Sequence, residues 1–153
     1  MKKAKFVDSD YSVAIANLAK ATDKKILARW AADCAEKVLP YFTDQNFRDG
    51  RPRKAIAAAR FWSEGDISLG VAQKASIVAL AAARSAEDGA PRAAARAAGQ
   101  AAATAKSESH AIQAATFAAK AIFYAEPEQA EAKVDKHRFW QYRHLVDLGP
   151  RVL

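Results

Sequence analysis

The stretch Ala90–Ala111 reads APRAAARAAGQAAATAKSESHA and consists mostly of alanine. Alanine has the highest helix propensity and Pro91 suits a first helical turn, so the stretch predicts an α-helix running to about Lys106. Residues four apart form a polar stripe along this helix: Arg92, Arg96, Gln100 and Thr104. Because the other faces offer only alanine and Gly99, we expect a central helix whose neighbours pack at the short end of the usual spacing of about 8–10 Å.

Gly99 weakens this helix by about 1 kcal/mol relative to alanine. A glycine inside a helix therefore needs a packing reason. We expect another backbone or a large ring to lie against Gly99. The alternative is a neutral glycine on a hydrated face.

The composition favours helices along the whole chain. The chain has 153 residues, of which 51% are hydrophobic and 27% charged. Roughly a quarter of the residues are alanine, and valine and isoleucine are few, which suits helices better than sheets. We predict an all-α fold, a single compact bundle of six or seven helices over residues 1–153, with loosely ordered tails at residues 1–9 and 147–153.

Helix start and stop signals recur along the sequence. Asp10 and Asp23 are candidate N-caps, and Pro40 closes the helix that Asp23 begins. Pro52 suits the start of the next helix, and Pro127 that of the last, which runs to about Leu145. One helix carries a predicted buried stripe at helical spacing: Leu27, Trp30, Ala31, Cys34 and Val38.

The sequence argues against a membrane segment and against secretion. The uncharged run at residues 97–105 is far shorter than the roughly 20 apolar residues that a span requires. The basic start is not followed by the apolar region of a signal peptide. Cys34 is the single cysteine, so no intramolecular disulfide can form. We predict a cytoplasmic protein.

Motifs for catalysis are absent from the sequence. There is no H-E-x-x-H motif, no cysteine pair for zinc and no glycine-rich phosphate loop. Cys34 lies on the buried stripe, where a thiol is inert. We therefore predict no enzyme, no cofactor and no metal. An enzyme of unrecognised type that uses Asp33, Glu36 and Arg53 in a cleft remains an alternative.

The chain is basic, with a net charge of +7. Nucleic acid, an anionic surface or an acidic protein would be attracted. Arg51 and Arg53 stand at a predicted helix N-terminus, where each cation is unfavourable by about 0.3–1 kcal/mol. Either they form ion pairs with Asp33, Glu36 or Asp44, or they bind an anionic partner.

The last helix holds a second candidate surface. Four apolar residues are predicted to share its core-facing side: Phe139, Tyr142, Leu145 and Val146. Trp140 points elsewhere, and Lys136, His137 and His144 lie near it. A tryptophan among cations is typical of an interface anchor, although it also occurs where lysine stems pack at a helix crossing. Structural roles are predicted for Trp30, Asp33, Trp62 and Gly99.

Four blocks of this sequence resemble a known family. They are ILARWAADCAEKVLPYF, RPRKAIAAARFWSEGDIS, RAAARAAGQAAATAKSESHA and AAKA, in this order between Ile26 and Ala121. The blocks resemble the alanine-rich, all-α immunity proteins of bacterial polymorphic-toxin systems. In that family ATA is often followed by His, whereas Lys106 stands here, with His110 nearby. The resemblance implies a small cytosolic protein that binds and neutralises a toxin, and it supplies no catalytic residues.

Besides the enzyme alternative, two binding functions remain open. The first is an immunity protein that binds a cognate toxin by protein–protein contact. An inhibitor that covers a cationic nuclease site should be acidic, so this basic chain predicts a toxin with an acidic face. The alternative is a basic helical domain that binds nucleic acid with a steep dependence on salt.

Overall fold

Helices are the only regular secondary structure in residues 4–149, the part of the chain that the computed structural model describes. The fold is all-α, as predicted, with eight helices in this part where six or seven were expected. They are α1 (Tyr11–Lys20), α2 (Lys24–Val38), α3 (Pro40–Thr43), α4 (Arg51–Ser63), α5 (Leu69–Ser85), α6 (Ala90–Ala103), α7 (Ser109–Ala125) and α8 (Ala130–Leu148).

The additional helix is α3, which follows α2 with one residue between them. Pro40 was expected only to close α2, but it is also the first residue of α3. A proline at this position has no N–H to leave unpaired, so the residue that stops one helix can start the next. The carbonyl of Leu39 accepts the N–H of Thr43 at 3.0 Å and completes the turn.

Helix ends differ from the predicted ones by a few residues. The helix α6 ends before Lys106. The last helix begins at Ala130 instead of Pro127, because Gln129 holds a left-handed backbone with φ of 60°. It also reaches Leu148, beyond the expected end at Leu145.

Side chains cap the first helices in two ways. The carboxylate of Asp23 accepts the N–H of Lys25 at 3.1 Å, which confirms the predicted cap of α2. Asp10 occupies the cap position of α1 without a side-chain bond to the helix. The hydroxyl of Ser9 accepts the N–H of Tyr11 at 3.1 Å instead.

The alanine helix α6 packs against α2, α3, α4, α5 and α7. Its buried residues are Pro91, Ala93, Ala94, Ala95, Ala97, Ala98, Gly99, Ala101, Ala102 and Ala103. The close neighbour of Gly99 is Leu80 of α5. A Cβ on Gly99 would lie 2.7 Å from Leu80 Cδ2 and 3.4 Å from the Leu80 backbone nitrogen. Glycine is thus what allows α5 this close to α6.

Helix α7 packs against α8 as well as α6. Helix α8 also contacts α1 and α2. The stripe predicted on α2 is buried, since Leu27, Trp30, Ala31, Cys34 and Val38 are all at most 1% exposed. No helix in the described part of the chain is both long and apolar enough to cross a membrane.

The N-terminal segment, residues 4–9, has no helix but makes specific contacts. The Phe6 ring meets the Phe123 ring of α7 edge-on at 5.5 Å. Asp8 forms an ion pair with Arg138 of α8 at 2.8 Å. Loosely ordered tails were expected here and at the C-terminus; residues 1–3 and 150–153 lie outside the described residues.

Candidate protein-binding surface

Polar residues form the centre of the buried face of α8, between two aliphatic residues. The buried residues are Val134, His137, Arg138, Gln141 and Leu145. The predicted core face is wrong for Phe139 and Val146, which are 44% and 47% exposed. Arg138 and Gln141 take their place, because each finds hydrogen-bond partners inside the protein that cancel the cost of burial.

The Arg138 side chain is only 2% exposed, and its guanidinium donates four hydrogen bonds. It donates to both carboxylate oxygens of Asp8, at 3.0 and 2.8 Å. It also donates to Gln141 Oε1 at 3.0 Å and to the Thr116 hydroxyl at 3.1 Å. A buried ion pair with further hydrogen bonds fixes geometry more than it adds stability. This cluster therefore ties α8 to α7 and to the N-terminal segment.

Gln141 extends the same cluster to α2. Its side-chain amide donates to the carbonyl of Ala115 at 2.9 Å, and its backbone carbonyl accepts the indole N–H of Trp30 at 2.9 Å. The amide nitrogen also lies 2.8 Å from His137 Nε2, which must then accept a hydrogen bond and be unprotonated. Burial, and next the charge of Arg138, lower the pKa of His137 to about 4.

Trp140 lies at the surface edge of this cluster, half-buried between two histidines. The His144 ring stacks on it at 4.9 Å with 14° between the planes, and the His137 ring at 5.7 Å with 28°. The ammonium of Lys37, from α2, lies 4.4 Å from the centre of the indole. Trp140 and His137 together with three lysines, Lys37, Lys133 and Lys136, line an open depression of about 280 Å³.

The rim of this depression is cationic. Lys133 is paired with Glu126 at 3.1 Å. Lys37 and Lys136 are exposed, and neither belongs to an ion pair within residues 4–149. An aromatic wall with unpaired ammonium groups above it suits a carboxylate beside an apolar side chain.

Asp33 contributes to this surface indirectly, by binding the His144 ring that stacks on Trp140. It accepts a hydrogen bond from His144 Nε2 at 2.8 Å and another from Arg60 of α4 at 2.7 Å. Arg60 also donates to Glu36 at 3.0 and 3.1 Å. The alternative that Asp33, Glu36 and Arg53 form a catalytic cleft finds no support in this geometry. Asp33 and Glu36 both pair with Arg60, near the C-terminal end of α4. Arg53 is exposed near the N-terminal end of that helix.

Arg51 and Arg53 do not line the depression with Trp140. Arg51 pairs with Asp49 at 2.7 Å, so the expected partners Asp33, Glu36 and Asp44 are not the ones it uses. This hydrogen bond lowers the pKa of Asp49. Arg53 is exposed, and no ion pair within the described residues includes it.

The other singled-out residues have local roles. Trp62 is half-buried rather than in the core, with the Lys24 ammonium 5.4 Å from its ring. Burial raises the pKa of Cys34 well above its usual value, as for an inert thiol. His110 Nδ1 lies 2.6 Å from Gln100 Oε1. Burial, and next the charge of Lys106, lower the pKa of His110.

Sequence reasoning brought together Trp140, Lys136, His137 and His144, and the structure places them on one side of α8. It missed Lys37, which comes from another helix, and it missed the buried roles of Arg138 and Gln141. Residues 134, 138, 141 and 145 follow helical spacing as well as the predicted core face does. They were not predicted to be buried, because the two central residues are an arginine and a glutamine.

The residues that the structure describes form an all-α fold with an open, lysine-lined depression on α8. A family model described as Imm-5 like putative immunity protein matches residues 17–148. The chain therefore belongs to this family. No curated protein and no solved structure gave a match.

Proposed function

We propose that this chain is a cytoplasmic immunity protein that binds a cognate bacterial toxin and neutralises it by contact alone. The observation that supports this function best is the depression on α8, where Trp140 is half-buried among Lys37, Lys133 and Lys136. Tryptophan in a partly desolvated pocket is a typical interface hot spot. Membership of the immunity-protein family implies that the partner is a toxin.

The toxin surface that fits is acidic. Two unpaired lysines on the rim and a net charge of +7 would repel a cationic cleft and attract a carboxylate-rich face. Binding of such a face is weakened by salt, because the rim charges are exposed to solvent.

A stiff scaffold would favour this binding. The alanine-lined α6 is packed on five helices, and the Arg138 cluster fixes the orientation of α8. A surface that is already ordered loses little conformational entropy on association. The proposal thus assigns α6 a role in holding in place the helices α2 and α7, on which α8 packs.

The test uses the product of the adjacent open reading frame as the candidate toxin. Isothermal titration calorimetry with the full chain measures its affinity, and co-expression in a bacterial host measures protection from growth arrest. Trp140→Ala should cost about 2 kcal/mol of binding, roughly 30-fold in Kd, and should abolish protection. Lys136→Glu should also weaken binding.

Trp62→Ala is the matched control, since Trp62 is likewise half-buried beneath a lysine but lies on α4. It should leave affinity and protection unchanged. Equal losses for Trp140→Ala and Trp62→Ala, or tighter binding by Lys136→Glu, would refute the assignment of this surface.

Nucleic-acid binding is a second candidate that the same depression supports. Lysines around an exposed aromatic ring can hold a phosphate backbone while a base stacks on the ring. Mobility shifts with single-stranded DNA at two salt concentrations decide this. Absence of binding at low salt removes the nucleic-acid function, because phosphate contacts are strongest there.

A further inference from the structure

The outward face of α5 is apolar and unpartnered. Val71, Ile77 and Val78 are 54%, 63% and 41% exposed, and helical geometry places them on one side with Lys74. The inner face of α5 buries mainly alanine: Ala72, Ser76, Ala79, Ala82 and Ala83. Val71, Ile77 and Val78 are therefore left partly in water, although their burial would be favourable.

The adjacent helix α4, which packs against α5, also exposes a large apolar side chain. It adds Phe61, which is 48% exposed. Single exposed apolar residues are ordinary, but several on neighbouring turns form a patch of the kind that binds another protein.

The charged residues of the two helices themselves are all cationic, whereas Glu64 and Asp66 are exposed in the segment that joins the helices. The sequences of α4 and α5 contain four and two cationic residues respectively, and neither contains an aspartate or a glutamate. Arg51 and Arg60 are paired with acidic residues from other segments. The remaining four are exposed and outside every ion pair of the described part of the chain: Arg53, Lys54, Lys74 and Arg84.

We propose that the α4–α5 face binds a protein surface that is apolar at its centre and bordered by carboxylates. The exposed aliphatic residues would be buried at the centre, and the four unpaired cations would meet the acidic border. A second copy of this chain fits worse, since a two-fold contact would set the same cations against each other. Nucleic acid fits worse too, because it offers nothing comparable to bury Ile77 and Val78.

This inference stands independently of the proposed function. The α8 surface lies on a helix that packs against α7, α1 and α2, whereas α5 packs against α6 and α4. A partner of the stated chemistry could therefore bind α4–α5 whether or not α8 binds a toxin.

Two synthetic amphipathic helices of about 18 residues test the proposal with the full chain. Both carry the same leucine face, bordered by glutamate in one peptide and by lysine in the other. Fluorescence anisotropy should show the glutamate peptide binding at least about ten-fold more tightly. Ile77→Ser and Lys74→Glu should each weaken it several-fold, and amide shifts should map to α5.

Two control variants localise the effect. Val13→Asp changes a side chain that is 65% exposed on α1 and should leave peptide binding unchanged. Trp140→Ala should also leave it unchanged, which separates this site from the α8 surface. Circular dichroism and urea midpoints verify that every variant is folded.

Several results would overturn the proposal. Equal affinity for the two peptides, or an equal loss in Val13→Asp, would remove the specificity claimed for this face. A dimer in sedimentation velocity that Ile77→Ser disperses would assign the face to a second copy. Single-stranded DNA binding that Lys74→Glu abolishes and Ile77→Ser leaves intact would assign it to nucleic acid.

Discussion

Replacing Gly99 by alanine sets two known effects against each other. Alanine favours a helix interior by about 1 kcal/mol over glycine. Its new methyl group, however, would lie 2.7 Å from Leu80 Cδ2 and 2.8 Å from Leu80 Cγ. Distances below 3.0 Å cannot persist, so Leu80 has to move or α5 has to shift away from α6.

Packing should win this competition. Overfilling a packed contact costs about 1–3 kcal/mol. Movement of the end of the Leu80 side chain gives only partial relief, because its Cγ, next to the Cβ, would still lie 2.8 Å from the new methyl group. We expect Gly99→Ala to lower the free energy of unfolding by about 1 kcal/mol, the clash minus the gain in helix propensity.

A double-mutant cycle with Leu80→Ala separates the two effects. In that background the obstructing side chain is gone, so Gly99→Ala should now stabilise the protein by up to about 1 kcal/mol. The coupling free energy between the two sites should therefore be about 2 kcal/mol. Urea unfolding followed by circular dichroism measures all four proteins. Stabilisation by Gly99→Ala in the otherwise unchanged chain would refute the argument that glycine permits the α5–α6 approach.

Three further outcomes follow from the buried groups. Because burial lowers the pKa of His137 from 6.5 to about 4, the unfolded chain binds more protons between these values. The free energy of unfolding should then have its full value above pH 6.5 and fall by about 3 kcal/mol towards pH 4. Urea unfolding measures this fall, which should be shallower in His137→Gln. Asp8→Asn should cost about 3 kcal/mol by removing the counter-charge of buried Arg138, whereas Asp10→Asn, which removes no cap bond, should cost little in thermal unfolding. Cys34 should not react with a thiol reagent in the native protein and should react fully in denaturant, and fast native labelling would contradict its burial.

Sequence reasoning predicted the helices well because their signals are local. Alanine runs, prolines at first turns and the capping Asp23 act within a few residues, so the all-α class and most of the helices follow from them. The exact helix ends depend on backbone conformations such as the left-handed one of Gln129. No signal in the sequence predicts that conformation. The short helix α3 was missed because Pro40, which ends one helix and begins another, was interpreted only as the end of α2.

The candidate surface was predictable only in part. Trp140, Lys136 and His144 were found together because they share one helix, where spacing determines proximity. Lys37 comes from α2, and only the tertiary packing brings its ammonium onto the indole. Lys74 and Ile77 were not noticed because an apolar residue in an alanine-rich helix suggests core, and the sequence does not tell which face has a neighbour.

The error in the buried face of α8 shows how the orientation of this helix is determined. Hydrophobic burial alone would favour turning α8 by about 100°, one residue, to bring Phe139 and Val146 inward. That rotation would separate Arg138 from Asp8 and from Thr116 of α7, and breaking a buried ion pair costs about 3–5 kcal/mol. The hydrogen bonds of Arg138 therefore select one orientation of α8. Since Trp140 lies two residues away on the opposite flank, the same bonds hold its ring at the surface, where the proposed partner would meet it.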